Sequence, residues 1–213
     1  MSIVLNRLYQ ITDKLKKIFI TQTSDIGIKC YEWARNINSD KFQLVNSIEN
    51  SDIYFSIFHN EIFKEKIINT RLGINFHAGL LPKYRGSGTI NWAIINEEIE
   101  TGITIHEIDK RLDAGPVIDV KKITIEQTDT AETLYKKLEL ITYELFKDWL
   151  IRIIDGDFIA KKQSEIDAHL YRRSELKDAK NLTKFARAFT FQGKESAFYF
   201  TKSGKKIYIQ YED

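Results

Sequence analysis

Two short segments hold side chains able to do chemistry together. INFHAGLLPKYRG carries Asn75 and His77, and TGITIHEIDKRLDAGPVI carries Asp113 just before Ala114-Gly115. Asn75 and His77 lie two apart on a predicted strand, and alternation along a strand points both side chains the same way. An amide donor beside an imidazole suits a reaction in which a carbonyl oxygen becomes an oxyanion. The amide stabilises that charge and the imidazole moves the proton. Taken singly, each residue also has a plainer reading. Asn-x-His can be structural, Asp113 a turn former, Lys83 and Arg85 a solvated loop, and Trp92 core.

The elements that must position these residues follow a rhythm of buried strands and amphipathic helices. KKIFITQ reads as a short buried strand, and TSDIGIKCYEWARNIN as a helix capped by Ser24 or Asp25. SDIYFSIF and RLGINFH read as further strands, with a short helix over NEIFKEKII between them. That alternation argues for an α/β fold, a mostly parallel sheet with helices on both faces. GLLPKYRGSG is a loop and TINWAIINEE a short helix. TGITIHEID alternates as a strand with Thr104, His106 and Ile108 on one face, and PVIDVKKITIE is a long strand. Leu134, Leu138, Ile141, Leu145, Trp149 and Ile153 form a helical stripe that Gly156 ends. Asp129 and Glu132 stand at capping-box spacing before it. Ile3, Val4, Leu8, Ile11 and Leu15 predict an N-terminal helix over 1–16, and a closing hairpin is expected around Ser203-Gly204. The domain division expected is 1–157 for the main α/β unit and 158–213 for a C-terminal segment with the hairpin.

Composition narrows the function class. The chain has 213 residues with 43% apolar and 29% charged side chains, which excludes a largely disordered chain. Net charge is +2, so no broad field favours nucleic acid or an anionic membrane. One cysteine, Cys30, excludes an intrachain disulfide and a cysteine-built zinc site, and the histidines share no ligand spacing, so no metal is expected. No run is long and apolar enough to span a membrane, and the N-terminus lacks a signal-peptide core. A cytoplasmic, reducing location is the expectation.

Asn75-x-His77, then Leu80-Leu81-Pro82 with Arg85-Gly86, then Asp113-Ala114-Gly115 come in order. This series resembles the signature of the N10-formyltetrahydrofolate-dependent formyltransferases. The similarity runs from about Asp52 to about Gly156 and more weakly to the end. The resemblance implies a shortened Rossmann-like sheet, because only about 52 residues precede it. It also implies a mechanism in which an acceptor amine attacks the formyl carbon of the folate co-substrate. Asn75 and His77 would hold the developing oxyanion, His77 would take the proton, and Asp113 would orient His77 or a water and support its charged form. The folate would sit between Ile57-Phe58-His59 and Arg111-Leu112-Asp113.

The resemblance points further to the sugar-nucleotide N-formyltransferases. Trp92 stands where those enzymes also have tryptophan, and Arg187-Ala188-Phe189-Thr190-Phe191-Gln192-Gly193 is similar to a run near their C-terminus, with Gln192 in place of the usual proline. The implied acceptor is a dTDP- or UDP-linked 4-amino-deoxy sugar, made for a surface glycan, with Lys83, Arg85, Trp92 and Phe191 as contacts. Phe191 or Tyr199 is the candidate to stack on the base. A homodimer through the C-terminal strands is implied as well. Glycinamide ribonucleotide is the alternative acceptor, although ITQTSDIG lacks that enzyme's glycine- and serine-rich phosphate loop. The related tRNA enzyme has an extra C-terminal domain for which this chain has no room. A folate- or nucleotide-binding protein without turnover is the rival from another class. His59-Asn60 and Ala78 depart from the family pattern, but none of these touches Asn75, His77 or Asp113.

Overall fold

A computed structural model describes residues 15–173, 182–200 and 204–209. The strands β1 (Lys16–Ile20), β2 (Phe42–Leu44), β3 (Ile53–Ile57) and β4 (Leu72–Ala78) are parallel neighbours in the order β2-β1-β3-β4. After β5 (Arg85–Gly86), β6 (Glu100–Glu107) pairs antiparallel with β4, and β7 (Val117–Thr124) antiparallel with β6, which completes a six-stranded sheet. The fold is therefore α/β with a mostly parallel central sheet. Short edge strand β2 was not foreseen: its three residues offer too little pattern to read.

Helices α1 (Asp25–Asn36), α2 (Glu65–Thr70), α3 (Thr89–Ile95) and α4 (Ala131–Ile154) connect and cover the strands. From β1 the chain moves to β2 on one side, then returns past β1 to β3 on the other. Right-handed crossovers in opposite directions put α1 and α2 on opposite faces. The chain reverses its direction across the sheet between β1 and β3, and ligands bind α/β sheets in the crevice there, beyond the carboxyl ends of the strands. Ser24 caps α1 by accepting from the Gly27 amide and also donates to the Ile57 carbonyl at 2.8 Å, which ties the two strand ends together.

The core lies between the sheet and α4. Phe146 meets Phe55 and Phe76 from the sheet and Trp33 from α1 at ring separations of 5.7, 5.9 and 6.0 Å. Leu134, Leu138, Phe146 and Leu150 are fully buried, each worth about 1.5–3 kcal/mol. The cap of α4 is shifted by one residue from the expected Asp129/Glu132 pair. Thr130 accepts from the Thr133 amide at 3.2 Å, and the Thr133 hydroxyl accepts from the Thr130 amide at 3.0 Å. Asp129 is instead buried beneath the helix start, where it accepts from the Thr133 hydroxyl and Lys137. The helix expected over NEIFKEKII is shorter and later, at Glu65–Thr70.

Beyond α4, Lys161 bridges to Val117, and β8 (Leu170–Tyr171) pairs with β5. Helix α5 (Leu182–Phe189) packs on α3, and β9 (Ala197–Phe200) with β10 (Lys206–Ile209) forms the expected antiparallel hairpin. The predicted helix over 1–16 falls outside the described residues except for its end, where Leu15 is exposed and Lys16 begins β1. Ser203, expected in the hairpin turn, also lies outside them.

Candidate active site

Strand β4 divides its side chains between two environments. Ile74 and Phe76 face the core under α4, while Asn75 and His77 face the other side of the sheet. In register with them on β6 are His106 opposite Asn75 and Thr104 opposite His77. Buried Thr104 accepts from the Leu81 amide at 3.2 Å and donates to the Gly79 carbonyl at 2.6 Å, which pins the loop after β4. The turn between β6 and β7 brings Asp113 over the same face, with its backbone in the left-handed region at φ 49°. Gly115 permits this return. A Cβ there would meet the Glu107 carbonyl oxygen at 1.8 Å.

Asn75, His77 and Asp113 are thus brought together, with His106 among them. The His77 Nε2 donates to the Tyr84 carbonyl at 2.6 Å, because a carbonyl can only accept. That leaves Nδ1 without a proton in the neutral ring, facing the Asp113 Oδ2 at 3.6 Å. By the same logic His106 donates from Nδ1 to the Glu107 carbonyl at 2.8 Å, and its Nε2 accepts from the Asn75 amide at 3.1 Å. The Asn75 amide also donates to the Asp113 Oδ1 at 3.2 Å. Both its hydrogens are therefore directed into the protein, and one must exchange partners to reach an oxyanion. Asp113 further accepts from the Gly86 amide at 2.8 Å.

Burial sets the electrostatics of this group. It pushes the His77 imidazole below its ordinary value, with His106 acting the same way, and the Asp113 carboxylate and the Tyr84 hydrogen bond only partly offset it. Burial alone would raise the Asp113 carboxyl. The two histidines and the Gly86 amide outweigh burial and hold it well below the usual carboxylate range. The site thus holds a neutral imidazole beside an ionised carboxylate near pH 7, poised for proton acceptance at Nδ1.

These side chains line a cavity of about 650 Å³ at the carboxyl ends of β1, β3 and β4, a size suited to small-molecule and cofactor ligands. Among the expected ligand residues, Phe58, His59, Leu112 and Phe191 line it, and the Tyr135 ring meets Phe58 at 5.4 Å and Phe191 at 5.2 Å. His59 is held by Thr23 at 2.8 Å and stacks on Phe63 at 5.0 Å. Five expected contacts lie elsewhere. Ile57 is buried in the core, and Arg111 is exposed and paired with Glu165. Lys83 pairs with Glu98 on the surface, and Trp92 leans on Tyr171 while donating to the Arg172 carbonyl at 3.3 Å. Arg85 is buried, with its guanidinium committed to Gln163 and Glu165. The Tyr199 side chain lies outside the described part. Sequence reasoning missed His106, Thr23, Tyr135, Arg173 and Lys194. The parity of His106 on its strand was readable, but that this strand pairs with β4 was not.

Among the described residues, no three His, Cys, Asp or Glu side chains gather closely enough to hold a metal ion, and no helix is long and apolar enough to cross a membrane. Solved structures share the fold. A sugar N-formyltransferase from a Shewanella species superimposes with a TM-score of 0.80 at 20% identity, over 93% of this chain and 98% of that one. An N-formyltransferase from Helicobacter canadensis, solved with folinic acid and dTDP-3-aminofucose, gives 0.69 at 21% identity, over 92% and 99%. A methionyl-tRNA formyltransferase from Clostridium thermocellum gives 0.69 at 19% identity, over 91% and 97%. The formyl transferase family model matches residues 29–150, more than half of the chain and the stretch that carries Asn75, His77 and Asp113. On that match the chain belongs to the formyl transferase family.

Proposed function

We propose that this protein transfers the formyl group of N10-formyltetrahydrofolate to the amine of a nucleotide-linked amino sugar. The observation that carries the reading is the His77 Nδ1, open and facing an ionised Asp113 at 3.6 Å in the wall of the cavity. In the transfer, a bond forms between the acceptor nitrogen and the formyl carbon, and the bond from that carbon to N10 breaks. One proton leaves the amine and one arrives at N10. His77 accepts the first at Nδ1, where the new imidazolium pairs with Asp113, and returns a proton to N10 as it departs. Asn75 turns toward the oxyanion the N–H it otherwise spends on Asp113.

The folate end of the cavity is taken to be Phe58, His59 and Leu112. The acceptor end is taken to be Phe191 with Arg173 and Lys194, two cations suited to a diphosphate beside a ring suited to a base. The sugar preference rests on that end and on the dTDP-sugar held by the Helicobacter relative. A surface-glycan product follows from such an acceptor. The test is release of tetrahydrofolate from N10-formyltetrahydrofolate with dTDP- and UDP-linked 3-amino and 4-amino sugars, beside glycinamide ribonucleotide. Turnover with one amino sugar supports the reading. Turnover with glycinamide ribonucleotide alone replaces it, and folate binding with no turnover on any acceptor favours a binding protein.

We also propose that two copies meet through the hairpin. On one face of β9-β10, Phe198 and Phe200 lie beside Tyr208, and the three are 37%, 63% and 52% exposed. The Lys206 ammonium lies over the Phe198 and Tyr208 rings at 3.7 and 4.9 Å, and exposed aromatics rimmed by a polar group in this way suit a protein contact.

A further inference from the structure

The two residues on either side of Arg85 touch the reacting pair through their backbone. The Tyr84 carbonyl accepts from His77, and the Gly86 amide donates to Asp113. Between them Arg85 points the other way and donates from Nε and Nη2 to the Gln163 Oε1 at 3.0 and 2.8 Å. The same amide of Gln163 donates from Nε2 to the Asp113 carbonyl at 2.9 Å and to the Gly115 carbonyl at 2.7 Å. Arg85 and Gln163 are each 7% exposed. Gln163 is itself placed by the bridge between Lys161 and Val117, at the start of the strand that follows Asp113.

The chemistry of the position is narrow. The side chain must accept twice from a guanidinium and donate twice to carbonyls, which a primary amide does and a carboxylate or an ammonium cannot. Asp113 sits at φ 49°, a conformation that costs a non-glycine residue and persists only where its surroundings hold it. The two carbonyls that Gln163 takes belong to Asp113 itself and to Gly115, so they hold the chain where it leaves this strained turn.

We propose that Gln163 is a positioning residue for the formyl transfer: braced by Arg85, it fixes the Asp113 turn and so sets the separation of Asp113 from His77. This rests on the reading that His77 and Asp113 carry the reaction. Neither Gln163 nor Arg85 lines the cavity, so their effect reaches substrate only through the pair.

The test uses the full chain with Gln163→Met, which keeps length and loses every hydrogen bond. The expected result is a fall in kcat of about tenfold or more with KM for the folate little changed, as for loss of a positioned acid–base partner. The imidazole titration of His77, followed by NMR without substrates, should move to lower pH, since a displaced Asp113 no longer favours the cation while His106 still opposes it. Asp113→Asn should move it the same way, and Arg85→Lys combined with Gln163→Met should add little to Gln163→Met alone. A wild-type kcat and an unmoved His77 titration in a folded Gln163→Met protein would overturn the proposal. Should Gln163→Met not fold, Gln163→Asn keeps the amide one carbon short and is read the same way. If the wild-type protein transfers no formyl group to any acceptor, the functional reading fails, and the His77 titration alone still decides the role of Gln163.

Discussion

At the residue scale, the site depends on one proton acceptor and the carboxylate that supports it. His77→Ala and Asp113→Asn should each lower kcat about 10²-fold or more, with the far-UV circular dichroism spectrum unchanged, and initial rates of tetrahydrofolate release check this. The acid side of the pH profile follows from the direction of the His77 shift. The base must be neutral, so the rate falls as pH drops through its folded value. Burial has pushed that value below the ordinary His range. kcat/KM should therefore hold through about pH 6.5 and decline only below it. Asp113 stays ionised across this window, because its own value lies well below the usual carboxylate range. A midpoint above the ordinary His value would contradict the assignment.

At the element scale, two local devices carry the geometry. Thr130 and Thr133 satisfy the first amides of α4, the helix that closes the core under β3 and β4. Thr130→Ala should cost about 1 kcal/mol, measured as a lower urea midpoint at unchanged slope, with kcat preserved. The turn between β6 and β7 behaves differently. Gly115→Ala forces a Cβ against the Glu107 carbonyl and displaces the segment that carries Asp113. Its stability should fall by about 1–3 kcal/mol, and its kcat should fall as well. That split, stability alone for the cap and both for the glycine, separates an element that builds the core from one that aims a side chain.

At the scale of the whole molecule, the cavity draws on both sides of the division expected at 157/158. Asn75, His77 and Asp113 come from before it, and Arg173, Phe189, Phe191 and Lys194 from after it. If the hairpin face pairs two copies, Phe200→Glu should reduce the molar mass seen by light scattering from a dimer to a monomer. Cys30 reports on the folded state as a whole. Its side chain is fully buried between α1 and the sheet, and burial pushes the thiol up to about 12. A thiol reagent at neutral pH should modify it slowly in the native protein and rapidly in denaturant, because the thiolate is the reactive form.

The sequence by itself determined the α/β rhythm, the shared direction of Asn75 and His77, and the motif series that names the family. Those are local properties: strand parity, helical period and turn chemistry are fixed by residues near one another in the chain. Tertiary structure alone decided that β6 lies against β4, which set His106 beside Asn75. It alone turned Arg85 away from the cavity toward Gln163, a residue 78 positions along. It also paired Lys83 with Glu98 on the surface and packed Trp92 against Tyr171, both outside the cavity lining. The direction of a loop side chain depends on partners that arrive from distant segments, and parity along a single strand carries no information about them.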